Sequence, residues 1–224
     1  MLSDEEQRYF AEKQSLMEAD YLRSEDPCLQ SGFGRGYADW ARYRSAIIAP
    51  VDRSGTFLDI GCANGLLMES VVCWAQNVGF RLEPYGIDIA DKLVQVARRR
   101  LPHWKDRIVV ANALLWEPST RFDYVRTELV YVPPAKRREY VERLLARFLV
   151  PSGKLLVCSY GSSRPEGARA EDLIRELQSG GCGLRRAARR SAQQQGSLSP
   201  EWSAWQRYRN VPLEPDSTVA ELAK

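Results

Sequence analysis

The chain has 224 residues, of which 44% are hydrophobic and 27% charged, which is the size and composition of one globular domain with short additions. No apolar run approaches the roughly 20 residues that a membrane span requires, and the acidic residues 1–6 lack the features of a signal peptide. The five cysteines form no CxxC pair and only one histidine is present, so neither a disulfide framework nor a metal site is predicted. We therefore expect a cytoplasmic protein without a membrane partner.

The net charge of +3 is unevenly distributed along the chain. Residues 1–26 carry −5 and the remainder carries +8. The basic excess lies mainly in three clusters, at residues 98–100, 136–138 and 185–190. Such clusters bind phosphates in nucleic-acid-binding proteins, but they also occur as solvated helix faces, and we favour the second interpretation.

Two helical patterns precede the first predicted strand. Residues 4–22 place apolar side chains at helical spacing, which predicts an amphipathic helix. A glycine-rich loop over residues 31–36 leads into a second helical pattern that ends near Pro50.

From residue 55 onward the sequence pattern predicts short strands that alternate with helices. Strands are predicted over residues 56–60, 84–89, 107–111, 122–127 and 154–160, and Asp91 is expected to cap the helix after the second strand. This alternation predicts an α/β fold, a Rossmann-like, doubly wound and mainly parallel sheet with helices on both faces. Residues 184–191 and 202–209 are predicted as two final strands, which makes seven. The expected domain covers residues 55–211, and residues 212–224 are expected to form a flexible tail.

The first strand ends in an Asp-x-Gly-x-x-x-Gly motif formed by Asp59, Gly61 and Gly65. Ligands of open α/β sheets bind at the carboxyl ends of strands, where glycines let the backbone approach closely. A dinucleotide-binding turn would instead read G-x-G-x-x-G to hold a pyrophosphate. Because the charge of Asp59 would repel phosphate, the motif favours a cationic aminoacyl sulfonium over NAD.

Two further polar positions follow the next two strands. Asp88 ends the second strand, where a carboxylate can accept both hydroxyls of a ribose. The side chain of Asn112 and the N–H of Ala113 follow the third strand and could bind the edge of an adenine ring. The alternatives are that Asp88 caps a helix and that Asn112 is an ordinary turn residue.

These elements, together with Leu-Val-Pro-Ser-Gly-Lys-Leu-Leu-Val at residues 149–157, resemble the class I S-adenosylmethionine-dependent methyltransferases. The resemblance covers about residues 55–160 and implies that S-adenosyl-L-methionine is the cofactor. It departs from the usual family pattern at Ala63, at Asn112 and at residues 152–153. The residues expected to contact the methionine, ribose and adenine moieties are Asp59, Gly61, Cys62, Ala63, Gly65, Asp88, Ile89, Asn112, Ala113 and Thr127.

The resemblance also implies how the chemistry is arranged. Holding the acceptor in line with an activated methyl group accounts for much of the lowering of the reaction barrier. A general base is needed only if the acceptor is protonated. Glu128 and Tyr131, in the loop after the fourth strand, are the expected catalytic residues, with pairing of Glu128 to an arginine as the alternative. Residues 1–54 are expected to form a helical lid in which Arg44 could bind the cofactor carboxylate.

The acceptor is expected to be a small molecule, because residues 127–130 lack the Asn/Asp-Pro-Pro-Tyr/Phe motif of amino-methylating nucleic-acid enzymes. An RNA methyltransferase, a non-catalytic S-adenosylmethionine-binding partner protein and a nucleotide-dependent oxidoreductase are the alternatives. The expected oligomeric state is a monomer or a homodimer.

Overall fold

The structure, a computed structural model, describes residues 2–160, 184–189 and 218–223. These residues form a sheet whose strands, in chain order, are β1 (Gly55–Ile60), β2 (Leu82–Asp88), β3 (Ile108–Val110), β4 (Phe122–Thr127), β5 (Leu149–Ser159), β6 (Leu184–Arg189) and β7 (Thr218–Ala223). The α-helices are α1 (Asp4–Tyr21), α2 (Tyr37–Arg44), α3 (Leu66–Asn77), α4 (Asp91–Arg100) and α5 (Arg137–Arg143). A π-helical turn, Leu144–Phe148, continues α5 to the start of β5.

The strand order is β3-β2-β1-β4-β5-β7-β6. Strands β1 to β5 are parallel to one another, whereas β7 runs antiparallel to both β5 and β6. The chain moves from β1 outward to β3 and then crosses to β4 on the other side of β1. The order of strands therefore reverses between β1 and β4, which is where open α/β sheets bind their ligands.

Apolar layers cover both faces of the sheet. Leu58 of β1 packs in one layer with Tyr140 of α5, whereas Phe57, the preceding residue, packs in the other layer with Val71 of α3. Successive strand residues point to opposite faces, so a strand buried on both sides is apolar at nearly every position. This burial explains why apolar residues from successive positions of β1, such as Phe57 and Leu58, are both fully buried.

Local signals determine where the helices begin. The Ser3 hydroxyl accepts a hydrogen bond from the Glu6 N–H, and the Glu6 carboxylate accepts one from the Ser3 N–H, a capping box that starts α1. The cap predicted for α4 was wrong: Ala90 is the N-cap, and Asp91 lies in the first turn. The reason is that Asp88, at the end of β2, already accepts the Ala90 N–H.

The predicted α/β fold with a parallel sheet is confirmed, and β1 to β5 lie at the predicted positions within a few residues. Strand β6 falls inside the predicted strand 184–191, and the strand predicted at residues 202–209 lies outside the described residues. The prediction of a flexible tail was wrong for residues 218–223, which form β7. Their backbone completes the open edge of β5 over six residue pairs, from Ser159↔Thr218 to Lys154↔Ala223, a pairing that local sequence does not encode.

None of the helices in the described part of the chain is both long and apolar enough to cross a membrane.

Candidate active site at the switch point

A buried ion pair lies at the point where the strand order reverses. Asp59 of β1 and Arg126 of β4 are register partners, and 3.1 Å separates Asp59 Oδ1 from Arg126 Nη1. Their side chains are 0% and 3% exposed. A guanidinium on the neighbouring strand therefore balances the charge of Asp59, a partner that the sequence reasoning did not include.

The same arginine holds the loop that follows β4. Its guanidinium forms an ion pair with Glu128 and donates a hydrogen bond of 2.9 Å to the Tyr131 hydroxyl. The Tyr131 hydroxyl in turn donates to Glu128 Oε1 at 2.8 Å. Glu128 thus has the arginine partner that the sequence left open as an alternative, and the two expected catalytic side chains are bonded to each other.

Burial shifts the titration of this cluster. It raises the pKa of Asp59 from 3.8 to about 6, against the stabilising charge of Arg126. Burial also raises the pKa of Tyr131 well above its ordinary value, with Arg126 opposing the shift. The raised pKa agrees with the role of the neutral Tyr131 hydroxyl as a hydrogen-bond donor to Glu128.

The turn after β1 is bonded directly to the end of β2. Its backbone has positive φ at Gly61 (76°), Ala63 (46°) and Gly65 (78°). The Ala63 N–H donates a hydrogen bond of 2.8 Å to Asp88 Oδ2. The sequence therefore predicted correctly that the glycine turn and the carboxylate of the second strand face each other.

The Tyr131 ring covers the first glycine of this turn. A Cβ built on Gly61 would lie 2.5 Å from two ring carbons of Tyr131, so the ring rests against the backbone there. The space that a glycine leaves beside the backbone is therefore occupied, in this conformation, by the ring of Tyr131.

Asp88 supports the backbone on both sides of the turn. Besides the Ala63 N–H, its carboxylate accepts the Ala90 N–H at 2.8 Å, and the residue is 4% exposed. Burial raises the pKa of Asp88, while these N–H groups oppose the shift. Because a carboxylate offers about four lone-pair positions, only part of its capacity is left for a ligand.

The expected adenine-binding loop follows β3. The Ala111 N–H donates to the Asp88 carbonyl oxygen at 2.8 Å, so this loop adjoins the end of β2. Asn112 Oδ1 accepts the Leu114 N–H at 2.9 Å, which is the turn role left open as an alternative. The carbonyl of Ala113 accepts a hydrogen bond from Arg143 of α5 at 2.9 Å.

The remaining expected contacts are less exposed to a ligand. Thr127 is fully buried, and its hydroxyl lies 2.6 Å from the Tyr140 hydroxyl of α5, so its side chain faces the core. The Cys62 side chain is buried beside Met68, which leaves its backbone for a ligand. Ile89 is half-buried between β2 and α4.

Among the described residues, several buried polar atoms near the switch point lack a hydrogen-bond partner: Asp59 Oδ2, Arg126 Nε, Arg44 Nη1, Trp40 Nε1 and the Tyr160 hydroxyl. Cys158 adjoins two of these residues, Arg126 and Tyr160, but a thiol is a weak partner. Unsatisfied buried polar groups are rare in proteins, and a group of them indicates a bound ligand or water. No role was predicted for Arg126, although an arginine directly after Tyr124 and Val125 in a predicted buried strand was a signal.

The N-terminal segment reaches the loops around this site. The Tyr9 hydroxyl of α1 donates to the Val130 carbonyl at 3.1 Å, and Glu18 forms an ion pair of 2.9 Å with Lys92 at the start of α4. Asn64, in the β1 turn, donates to the Pro27 carbonyl at 2.9 Å. These contacts place residues before β1 against the loops that follow β1, β2 and β4.

No protein-family model matches the chain, and a search of curated proteins found no match. Solved structures do match. The 1,6-didemethyltoxoflavin-N1-methyltransferase of Burkholderia thailandensis has a TM-score of 0.62 at 17% identity, covering 100% of this chain and 92% of the other. The N-methyltransferase NodS of Bradyrhizobium japonicum has a TM-score of 0.60 at 16% identity, covering 93% and 96%. The [4+2]-cyclase SpnF has a TM-score of 0.59 at 18% identity, covering 98% and 96%.

Two of these three proteins are methyltransferases, and all three match this chain over more than 90% of its length. The chain has the fold of the class I S-adenosylmethionine-dependent methyltransferases.

Proposed function

We propose that the protein binds S-adenosyl-L-methionine and transfers its methyl group to a small-molecule acceptor. The observation that carries this proposal is the hydrogen bond between the Ala63 N–H and Asp88 Oδ2 at the switch point. It joins the glycine turn of β1 to the acid of β2, the two places expected to bind the methionine and ribose moieties. The Burkholderia and Bradyrhizobium enzymes were both solved with S-adenosylhomocysteine, which supports the same ligand here.

The described residues fit this cofactor. Asp59 Oδ2 has no partner and can accept from an ammonium, and Gly61 has no side chain between its backbone and a ligand. Asp88 retains a lone-pair position for a ribose hydroxyl, and Asn112 and Ala113 lie on the adjoining loop. Residues 1–54 would close over the bound cofactor as a lid, in keeping with their contacts to three loops of the site.

One rearrangement is required for binding. The Tyr131 ring must move away from Gly61. The hydrogen bonds of the Tyr131 hydroxyl with Arg126 and Glu128 must then either break or move together with these two side chains. The short helical turn Leu129–Tyr131 lies in a connection between β4 and α5, where such a movement does not disturb the sheet.

Positioning would then account for most of the chemistry. When bound, the sulfonium supplies an already activated methyl group, so the protein has to orient the acceptor and exclude water. Removal of Tyr131 from Glu128 Oε1 would leave this oxygen paired with Arg126 alone, with a lone pair free to accept an acceptor proton, a contribution of roughly 10²–10⁴-fold to the rate. Glu128 is thus the proposed base, and Tyr131 controls its availability.

A small-molecule acceptor is preferred over RNA. The Burkholderia relative was solved with 1,6-didemethyltoxoflavin bound, so this fold accommodates a small acceptor beside the cofactor site. The RNA alternative rested on the basic cluster at residues 185–190, whose side chains lie outside the described part of the structure.

A second candidate is a protein that binds the cofactor but transfers no methyl group. SpnF is a [4+2]-cyclase with the same fold, so the architecture alone does not determine the reaction. The existing partners of Glu128 also suit this reading, because its carboxylate is engaged by Arg126 and Tyr131.

Calorimetric titration with S-adenosylhomocysteine, and with NAD as the control ligand, tests the cofactor. We expect saturable binding of S-adenosylhomocysteine and none of NAD; preferential binding of NAD would overturn the proposal. Release of S-adenosylhomocysteine from S-adenosylmethionine in the presence of a panel of amines and phenols then tests methyl transfer. Binding without turnover across the panel would favour the second candidate.

A further inference from the structure

Arg44, the last residue of α2, is a buried cation that has no anionic partner among the residues that the structure describes. It is 9% exposed, and it forms no ion pair or side-chain hydrogen bond with another described residue. Burial lowers the pKa of Arg44. Transferring a cation from water to such a site costs several kcal/mol unless an anion or hydrogen-bond acceptor compensates.

Aromatic rings surround the guanidinium. Its central carbon lies 4.7 Å from the ring centroid of Tyr160, 4.9 Å from that of Trp40 and 5.3 Å from that of Phe33. Ring faces attract a cation, but they do not accept the five in-plane N–H bonds that a guanidinium offers. The rings therefore orient Arg44 without satisfying it.

The acids near Arg44 are already engaged. Glu128 acts on Arg44 through its charge, but Glu128 is bonded to Arg126 and to the Tyr131 hydroxyl. Asp39, on the same helix, forms an ion pair of 3.0 Å with Arg42. The anion that suits Arg44 must therefore come from outside these residues.

The position of Arg44 indicates which ligand supplies that anion. Its neighbour Tyr160 directly follows β5, and β5 is two strands away from β1 in the sheet. At about 4.8 Å per strand, this separation is roughly 10 Å from the β1 turn. The β1 turn and Asp88, on the other side of β4, form the proposed cofactor site, so Arg44 lies on the side left for the acceptor.

We infer that Arg44 is the anchor for a carboxylate on the methyl acceptor, which makes the acceptor a small carboxylic acid. The inference rests on the proposed function for the identity of that ligand. A carboxylate matches the planar fork of a guanidinium with two parallel hydrogen bonds, and the flanking rings favour an aromatic or other flat acid. Loss of such a charge-assisted contact corresponds to roughly 10- to 100-fold in affinity.

The probes are benzoate and its uncharged counterpart benzamide, titrated by tryptophan fluorescence with and without S-adenosylhomocysteine. We expect saturable binding of benzoate in the millimolar range and binding of benzamide at least tenfold weaker. Arg44→Gln should weaken benzoate at least tenfold, whereas Arg42→Gln, two residues away on the same helix, should not. Absence of benzoate binding, or equal binding of the two probes, would overturn the inference.

A second arm separates the acceptor from the cofactor as the source of the carboxylate. S-adenosylhomocysteine carries a carboxylate, and 5′-methylthioadenosine does not. We expect Arg44→Gln to leave both affinities unchanged; selective weakening of S-adenosylhomocysteine would show that Arg44 holds the cofactor instead. If S-adenosylhomocysteine binds neither the wild type nor the variant, the proposed function fails, while the benzoate titration without it still tests Arg44.

The melting temperature distinguishes a ligand-binding role of Arg44 from a purely structural one. Because Arg44 has no partner in the described residues, Arg44→Met should raise the melting temperature by about 2–4 °C. A fall in the melting temperature of this variant would assign Arg44 to packing and would contradict the inference.

Discussion

The side chains of Asp59 and Arg126 meet across the two strands between which the strand order reverses, with 3.1 Å between Oδ1 and Nη1 and almost no exposure to solvent. The pair lies 67 residues apart in sequence. It balances the charge of Asp59 and, through Glu128 and Tyr131, connects β1 to the loop after β4. The ion pair therefore connects Asp59, beside the β1 turn of the proposed cofactor site, to Tyr131, the side chain that covers this turn.

Removal of Arg126 should be strongly destabilising. Arg126→Met leaves Asp59 and Glu128 without their cation, and breaking a buried pair in this way costs about 3–5 kcal/mol. Urea unfolding measures the change. Arg147→Met is the control, because the ion pair of Arg147 with Glu117 is more than half exposed and should contribute about 0–1 kcal/mol. Similar losses in both variants would contradict the importance of the buried pair.

The titration of Asp59 should make the free energy of unfolding depend on pH. Its folded-state pKa of about 6 lies above the ordinary value of 3.8, so the folded protein holds this proton more tightly than the unfolded chain. The resulting stability is present below about pH 4 and is lost as the pH rises through 6, at about 1.4 kcal/mol per pH unit at most. Urea unfolding of the wild type and of Asp59→Asn between pH 4 and 7 tests this. The wild type should lose stability relative to the variant, and parallel profiles would refute the shift.

The contact between Gly61 and Tyr131 can be isolated by a matched pair of substitutions. Gly61→Ala and Gly79→Ala both place a side chain at positive φ, 76° and 90°, but only the first meets Tyr131, and Gly79 has nothing within 4 Å. We expect about 1 kcal/mol of destabilisation for Gly79→Ala from backbone strain, and more for Gly61→Ala. The additional destabilisation by Gly61→Ala, relative to Gly79→Ala, should be smaller when Tyr131 is also replaced by alanine. If it is not, the ring does not rest on Gly61.

Asp88→Ala should weaken S-adenosylhomocysteine by roughly 1–3 kcal/mol, because buried donors lose their acceptor. The control is Asp91→Ala, an exposed residue of α4 whose carboxylate accepts a bond from the Gln95 side chain. Calorimetry should give an unchanged affinity for this control. An unchanged affinity in folded Asp88→Ala would refute the role of Asp88 at the cofactor site.

Much of the fold could be predicted from the sequence because its signals are local. The alternation of apolar strands and amphipathic helices from residue 55 onward predicted the parallel sheet. The glycines of the β1 turn and the acid that ends β2 predicted that Ala63 and Asp88 would lie together, since carboxyl ends of parallel strands share one edge. Strand β7 could not be predicted in this way, because its partner is the open edge of β5 rather than its own neighbours.

The charge arrangement of the site was decided only by the tertiary structure. Composition and spacing by themselves determined that an acid, Asp59, stands beside a glycine turn at the end of a buried strand. Which cation balances it, which ring covers Gly61 and which arginine has no anion among the described residues depend on cross-strand register and on packing between distant segments. Electrostatic interactions in a buried site are determined by distances of a few ångströms, and those distances are set only when the strands come together.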